Sequence, residues 1–158
     1  MRARLDEECV IKANSQFWEQ MLAMTLDQTL VAEEFCVAAG HIRGSVDLSG
    51  EWKGRIEVRM ASGLAYQATA AMMMQPIDTV GEADALDAAR EIANMIAGTI
   101  KSSLPRPCSM AVPESVVVET FAVVKAAVNS DVLDDTMVSV CPLNWVPLLV
   151  VKPAILTV

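Results

Sequence analysis

The chain has 158 residues, of which 53% are hydrophobic, and a formal net charge of −8. This length suits a single domain, residues 1–158, that buries most of its apolar surface; its apolar content exceeds the roughly 45–50% usual for soluble domains, which leaves some for a subunit interface. The charge opposes any function that neutralises nucleic-acid phosphates or docks on anionic lipid, so neither nucleic acid nor membrane is expected as a partner.

Cys9, Cys36, Cys108 and Cys141 form no C-x-x-C pair, and residues 1–8 lack the apolar run of a signal peptide. The expectation is a cytoplasmic protein with free, mostly buried thiols. The uncharged stretch from Thr136 to Val151 is too short to span a bilayer and contains Pro142, Asn144 and Pro147, so it reads as strand and turn.

From Glu7 to Leu26, Val10, Ile11, Phe17, Trp18, Met21 and Leu22 recur at helical spacing and predict an amphipathic helix. The period then changes to two. Ile42, Gly44, Val46 and Leu48 alternate with His41, Arg43, Ser45 and Asp47; after Ser49-Gly50, Trp52, Gly54, Ile56, Val58 and Met60 alternate with Glu51, Lys53, Arg55, Glu57 and Arg59. This predicts a hairpin that turns at Ser49-Gly50, with the charged set facing water. A second helix, capped by Ser62, carries Leu64, Ala65, Ala68, Ala71 and Met72 and stops before Pro76. Residues 75–81 read as a loop, and the longest periodic segment, about Glu82 to Leu104, ends at Pro105 and Pro107. Strand-forming runs follow at Val116–Val118, Phe121–Val128, Met137–Cys141 and Trp145–Val151, with turns at Asn129-Ser130-Asp131 and Pro142-Leu143-Asn144. This order of elements predicts an α+β fold, a largely antiparallel sheet with helices packed on one face.

On the third helix, Leu86, Ala89, Ile92, Ala93, Ile96 and Ile100 share one arc and are predicted to pack on the sheet. Opposite them Asp87, Glu91, Asn94, Gly98 and Lys101 follow one another at spacings of four, three, four and three. Any surface helix shows a polar stripe, so spacing alone assigns no function. Asn is a poor helix former, however, and Gly98 costs about 1 kcal/mol against alanine in a helix interior, so the ridge departs twice from the local optimum. Such departures often mark places where another surface approaches.

The segment Asp87-x-x-x-Glu91-x-x-Asn94, continuing Met95-Ile96-Ala97-Gly98, resembles the Asp/Ser-x-x-x-Glu-x-x-Asn signature of the CheC, CheX and FliY chemotaxis phosphatases, in its CheX-like form. The resemblance extends over about residues 5–125 and is strongest from Asp84 to Lys101. It implies that Asn94 enters the active site of a CheY-like response regulator and positions a water for attack on its aspartyl phosphate. It also implies that Glu91 pairs with a lysine of the regulator, and that Asp87, Gly98 and Lys101 belong to the docking surface. The regulator would supply Mg2+, and this chain would need no cofactor or metal ligand of its own. CheX relatives are dimers, so a homodimer is implied too, with Trp145–Val151 as an edge strand covered by the second subunit.

Two departures accompany the resemblance. These proteins usually place a proline about twenty-two residues after the Asn, whereas here Pro113 comes after eighteen intervening residues. Members with two sites repeat the motif in the first helix; here Ser15-x-x-x-Glu19 is followed by Leu22 in place of the second Asn, so one site per chain is expected.

Two other functions compete with hydrolysis: a non-catalytic regulator-binding or flagellar-switch-like module, and a free-standing small-molecule hydrolase. Three further features are given structural readings. His41, the one histidine, reads as a partly exposed strand residue and forms no catalytic relay. Asp131, Asp134 and Asp135 match no calcium loop and read as a solvated turn. Met72, Met73 and Met74 read as core filler near a helix end.

Overall fold

Residues 41–50 and 54–60 pair as the central strands of an antiparallel sheet in the computed structural model, which describes residues 7–23, 28–29, 34–37, 40–50, 54–103, 108–119, 122–125, 138–142 and 147–153. In chain order the elements are helix α1 (Glu7–Leu22) and strands β1 (Gln28–Thr29), β2 (Glu34–Val37), β3 (His41–Gly50) and β4 (Gly54–Met60). Helices α2 (Ser62–Met73) and α3 (Glu82–Ser103) follow, with a 3-10 turn at Ile77–Thr79 between them. The remaining strands are β5 (Cys108–Met110), β6 (Glu114–Val118), β7 (Ala122–Lys125), β8 (Val138–Pro142) and β9 (Pro147–Pro153). The fold is the expected α+β arrangement.

The main sheet runs β1-β8-β9-β4-β3, with β5 and β6 both on the far side of β3; β2 and β7 pair separately. Every pairing is antiparallel. The β3–β4 register runs from Ile42 opposite Met60 to Leu48 opposite Gly54. β3 continues past its partner, and Ser49 and Gly50 pair with Ser109 and Cys108 of β5. These two residues are therefore strand, not the predicted turn, and Trp52 lies outside the described residues.

Along the other side of β3, β6 pairs from His41–Val118 to Ser45–Glu114, and β5 resumes at Leu48–Met110. Val46 and Asp47 thus face three residues, Ala111, Val112 and Pro113. One residue is extra, which makes a β-bulge, and it falls where a proline has no amide proton to give the ladder. The Ala111 N–H still donates to the Asp47 carbonyl at 2.9 Å.

Even-numbered side chains of the hairpin, from Ile42 to Leu48 and from Ile56 to Met60, are buried under the helices. α1 contributes Ala13, Phe17 and Trp18, with the Trp18 indole N–H donating to Asn14 Oδ1 at 3.0 Å. Its Met21, predicted on this face, is 55% exposed, and the helix ends at Leu22 with Ala23 in the left-handed region at φ 52°. α2 buries Leu64, Ala65, Ala68 and Thr69, whereas Ala71 is exposed.

Several other readings need correction. Ser62 does not cap α2: the cap position is Ala61, and the Ser62 hydroxyl donates to the Gly40 carbonyl instead. Of the three methionines only Met72 packs on the core; Met74, at φ 53°, closes the helix and is 92% exposed. Glu57 and His41 are buried on the face away from the helices. The charge is accommodated because Arg59 lies beside both, 3.1 Å from Glu57 Oε2 and 2.9 Å from His41 Nε2. β9 is no edge strand, since it lies between β4 and β8; Trp145 and Val146, with the Asp131, Asp134 and Asp135 turn, fall outside the described residues. Cys9 and Cys108 are free thiols, Cys108 buried.

At the exposed end of the hairpin Arg55 donates to Asp47 at 2.7 and 3.1 Å, and this bond holds the Asp47 carboxyl below its ordinary range. A depressed folded-state pKa gives stability that is present above the unfolded value, near 3.9, and lost as pH falls through the folded one. Because both groups are well exposed, the contribution is below about 1 kcal/mol. Asp47→Asn should therefore lower the urea midpoint slightly at pH 7, and the difference from wild type should vanish below about pH 3.

Candidate functional site

α3 carries the candidate residues, and its start is well defined. The Gly81 N–H donates to Asp84 Oδ2 at 2.9 Å while the Ala85 N–H bonds to the Gly81 carbonyl at 3.1 Å, a return bond of the capping-box kind. Glu82 and Asp84 in the first turn and Lys101 in the last complement the helix dipole.

The inner face of α3 is Ala85, Ala88, Ala89, Ile92, Ala93, Ile96, Ala97 and Ile100, all buried, whereas Leu86 is only half-buried. Its small residues allow a close approach to β3. A Cβ built on Gly44 would lie 2.2 Å from the Ala89 carbonyl oxygen and 3.1 Å from Ala93 Cβ, so glycine is required there.

This anchoring turns the predicted ridge outward. Asp87 and Glu91 are exposed, and Asn94, Gly98 and Lys101 are half-buried. Successive residues turn about 100°, so Glu91 and Asn94 project about 60° apart and one turn apart along the axis. Asp87 pairs with Arg90 on its own helix. Glu91 and Asn94 have no side-chain hydrogen bond or ion pair among the described residues, so nothing described must be broken before they meet another molecule. A Cβ on Gly98 would meet nothing within 4 Å, so packing within the described chain does not require this glycine.

The corresponding positions of α1 are Ser15, half-buried, exposed Glu19 and partly buried Leu22, which offers no amide. Arg90, which sequence reasoning passed over, reaches from α3 to Ser115 Oγ on β6 at 2.9 Å. Its i,i+3 spacing from Asp87 was the available signal. Among the described residues no cluster of acids, histidines and cysteines could hold a metal ion, and no helix is long and apolar enough to cross a membrane.

The architecture is thus an antiparallel sheet backed by helices, the longest of which carries on its outer side an acid and an amide with no side-chain partner among the described residues. The family model described as chemotaxis phosphatase CheX matches residues 42–132, more than half of the chain, and the chain belongs to that family. No curated protein matches it significantly. Among solved structures, the chemotaxis protein CheX from Vibrio vulnificus superposes with a TM-score of 0.69 at 16% identity, over 96% of this chain and 97% of that one. CheX from Desulfovibrio desulfuricans gives 0.63 at 16% identity, over 91% and 94%. The Borrelia burgdorferi CheX–CheY–BeF3–Mg2+ complex gives 0.61 at 14% identity, over 94% and 96%. At these identities the likeness is one of fold.

Proposed function

We propose that this chain hydrolyses the aspartyl phosphate of a CheY-like response regulator, with Asn94 holding the attacking water and Glu91 pairing with a lysine of the regulator. The observation that carries the reading is the joint display of Glu91 and Asn94 on α3. A carboxamide both donates and accepts hydrogen bonds, so it can orient a water without acting as a base. In such reactions placement and charge stabilisation supply most of the catalysis. The water oxygen bonds to phosphorus as the aspartyl oxygen departs with the bonding electrons, leaving a carboxylate and inorganic phosphate. The regulator provides the Mg2+ as well as the phosphorylated residue. The CheY-bound Borrelia relative supports a partner of this kind.

A homodimer and a cytoplasmic location are part of the same proposal. The test is phosphate release from candidate regulators of the same organism, with and without this protein. Acceleration of release supports hydrolysis, and binding without acceleration would favour a sequestering module.

Gly98 offers a separate check. Gly98→Ala should stabilise the free protein by about 1 kcal/mol, raising Tm by roughly 2–4 °C, because alanine is the better helix former and the site has room for its methyl group. The same methyl group stands on the docking ridge, so KM for the phosphorylated regulator should rise. A gain in stability with no change in KM would remove Gly98 from the contact surface.

A further inference from the structure

Where α3 comes closest to the sheet, the Ala89 carbonyl sits over Gly44 of β3, and Gly44 is paired in register with Ser115 of β6. The next residue after Ala89 reaches across that same level. Arg90 Nη1 donates to Ser115 Oγ at 2.9 Å, while Nη2 pairs with Asp87. The Asp87 contact lies within the helix and moves with it, so it cannot resist a rotation of α3. The Ser115 contact joins two elements 25 residues apart in sequence.

Much of the inner face of α3 near this level is alanine: Ala85, Ala88, Ala89 and Ala93. Methyl groups bring a helix close to a sheet but interdigitate little, so they limit its distance better than its roll about the axis. A second attachment away from the contact line limits the roll.

We propose that Arg90 is a positioning residue whose tether to Ser115 sets the rotation of α3, and with it the direction in which Glu91 and Asn94 project. This rests on the role given to Asn94 above. A roll of about 10° moves a side-chain tip roughly 6 Å from the axis by about 1 Å. A misplacement of about 1 Å in a reacting group can cost on the order of 10²-fold in rate. Part of that loss is expected when the tether alone is removed, because Gly44 still holds the helix.

The test compares wild type, Ser115→Ala, Ser115→Thr, Arg90→Met and the Arg90→Met/Ser115→Ala double variant in steady-state dephosphorylation of the regulator. Each single loss should lower kcat about 10-fold and raise KM only modestly, because Glu91 turns with the helix while keeping its charge; the double variant should fall no further, and Ser115→Thr, which keeps the hydroxyl, should stay near wild type. Full activity in Ser115→Ala overturns the proposal. So does a much greater loss in Arg90→Met that multiplies with the serine change, which would place the guanidinium on the phosphoryl group itself.

A second readout needs no activity. In Ser115→Ala the backbone amide resonances of residues 91–98 should shift while those of α2 stay in place; unmoved α3 resonances overturn the tether. A wild type that never accelerates phosphate loss defeats the phosphatase reading, and the resonance result still decides whether Arg90 sets the roll of α3.

Discussion

Asn94→Ala should lower stimulated dephosphorylation by about 10²-fold or more, equivalent to about 3 kcal/mol in the barrier, while regulator binding changes little. The split follows from what each group does. An amide that orients water acts only as the water attacks, so its removal lowers kcat and kcat/KM together. Glu91→Ala removes a charge from a solvent-exposed position, so its effect falls on docking: KM rises, and the difference from wild type shrinks as salt screens the pair. Neither change should lower Tm by more than a few degrees, since neither side chain is buried or bonded to the described chain. An Asn94→Ala protein that dephosphorylates at the wild-type rate would remove the proposed mechanism.

Gly44→Ala is the substitution with the largest expected effect on stability. The added methyl carbon would stand 2.2 Å from the carbonyl oxygen and 2.8 Å from the carbonyl carbon of Ala89. These are backbone atoms of a helix, so no rotamer change can relieve the clash; either α3 lifts or β3 bends. Overpacking a well-packed core costs about 1–3 kcal/mol, and a rigid neighbour places this case at or above the top of that range. For a chain of this length about 3 kcal/mol lowers Tm by roughly 6–12 °C, a large part of the usual margin. Because the lifted segment carries Glu91 and Asn94, activity should fall even at temperatures where the variant is folded. Thermal and urea melts measure the first effect, and kcat at 15 °C measures the second. A melt within 1 kcal/mol of wild type would mean that α3 does not press on β3 at this point.

The α3 ridge is legible in the sequence because a helix repeats locally: Ala89, Ile92, Ala93, Ile96 and Ile100 mark one side and so place Glu91 and Asn94 on the other. The hairpin is legible for the same reason, and its even-numbered residues from Ile42 to Leu48 and from Ile56 to Met60 are buried as the alternation predicts. Readings that depended on distant partners went astray. The apolar run Trp145–Val151 reads as an edge strand until β8 and β4 are seen to flank β9. Glu57 looks solvated until Arg59 and the burial of that face are known. Cap signals proved ambiguous too: Ser62 has the right residue type at the right place, but its hydroxyl serves the Gly40 carbonyl. The Arg90–Ser115 bond crosses 25 residues and two kinds of element, so no single period carries it.

The ladder between β4 and β9 pairs Gly54 with Pro153 and Met60 with Pro147, partners about ninety to a hundred residues apart. On the ribosome, β3, β4 and the two helices that follow leave the exit tunnel well before β9 is made, so the nascent sheet waits with one flank of β4 unsatisfied. Closing so long a loop is slow, and during that interval the bare flank is open to strands of neighbouring chains. Yield during expression should therefore depend on how quickly the last strand arrives, and early termination before residue 147 should send the product toward aggregates.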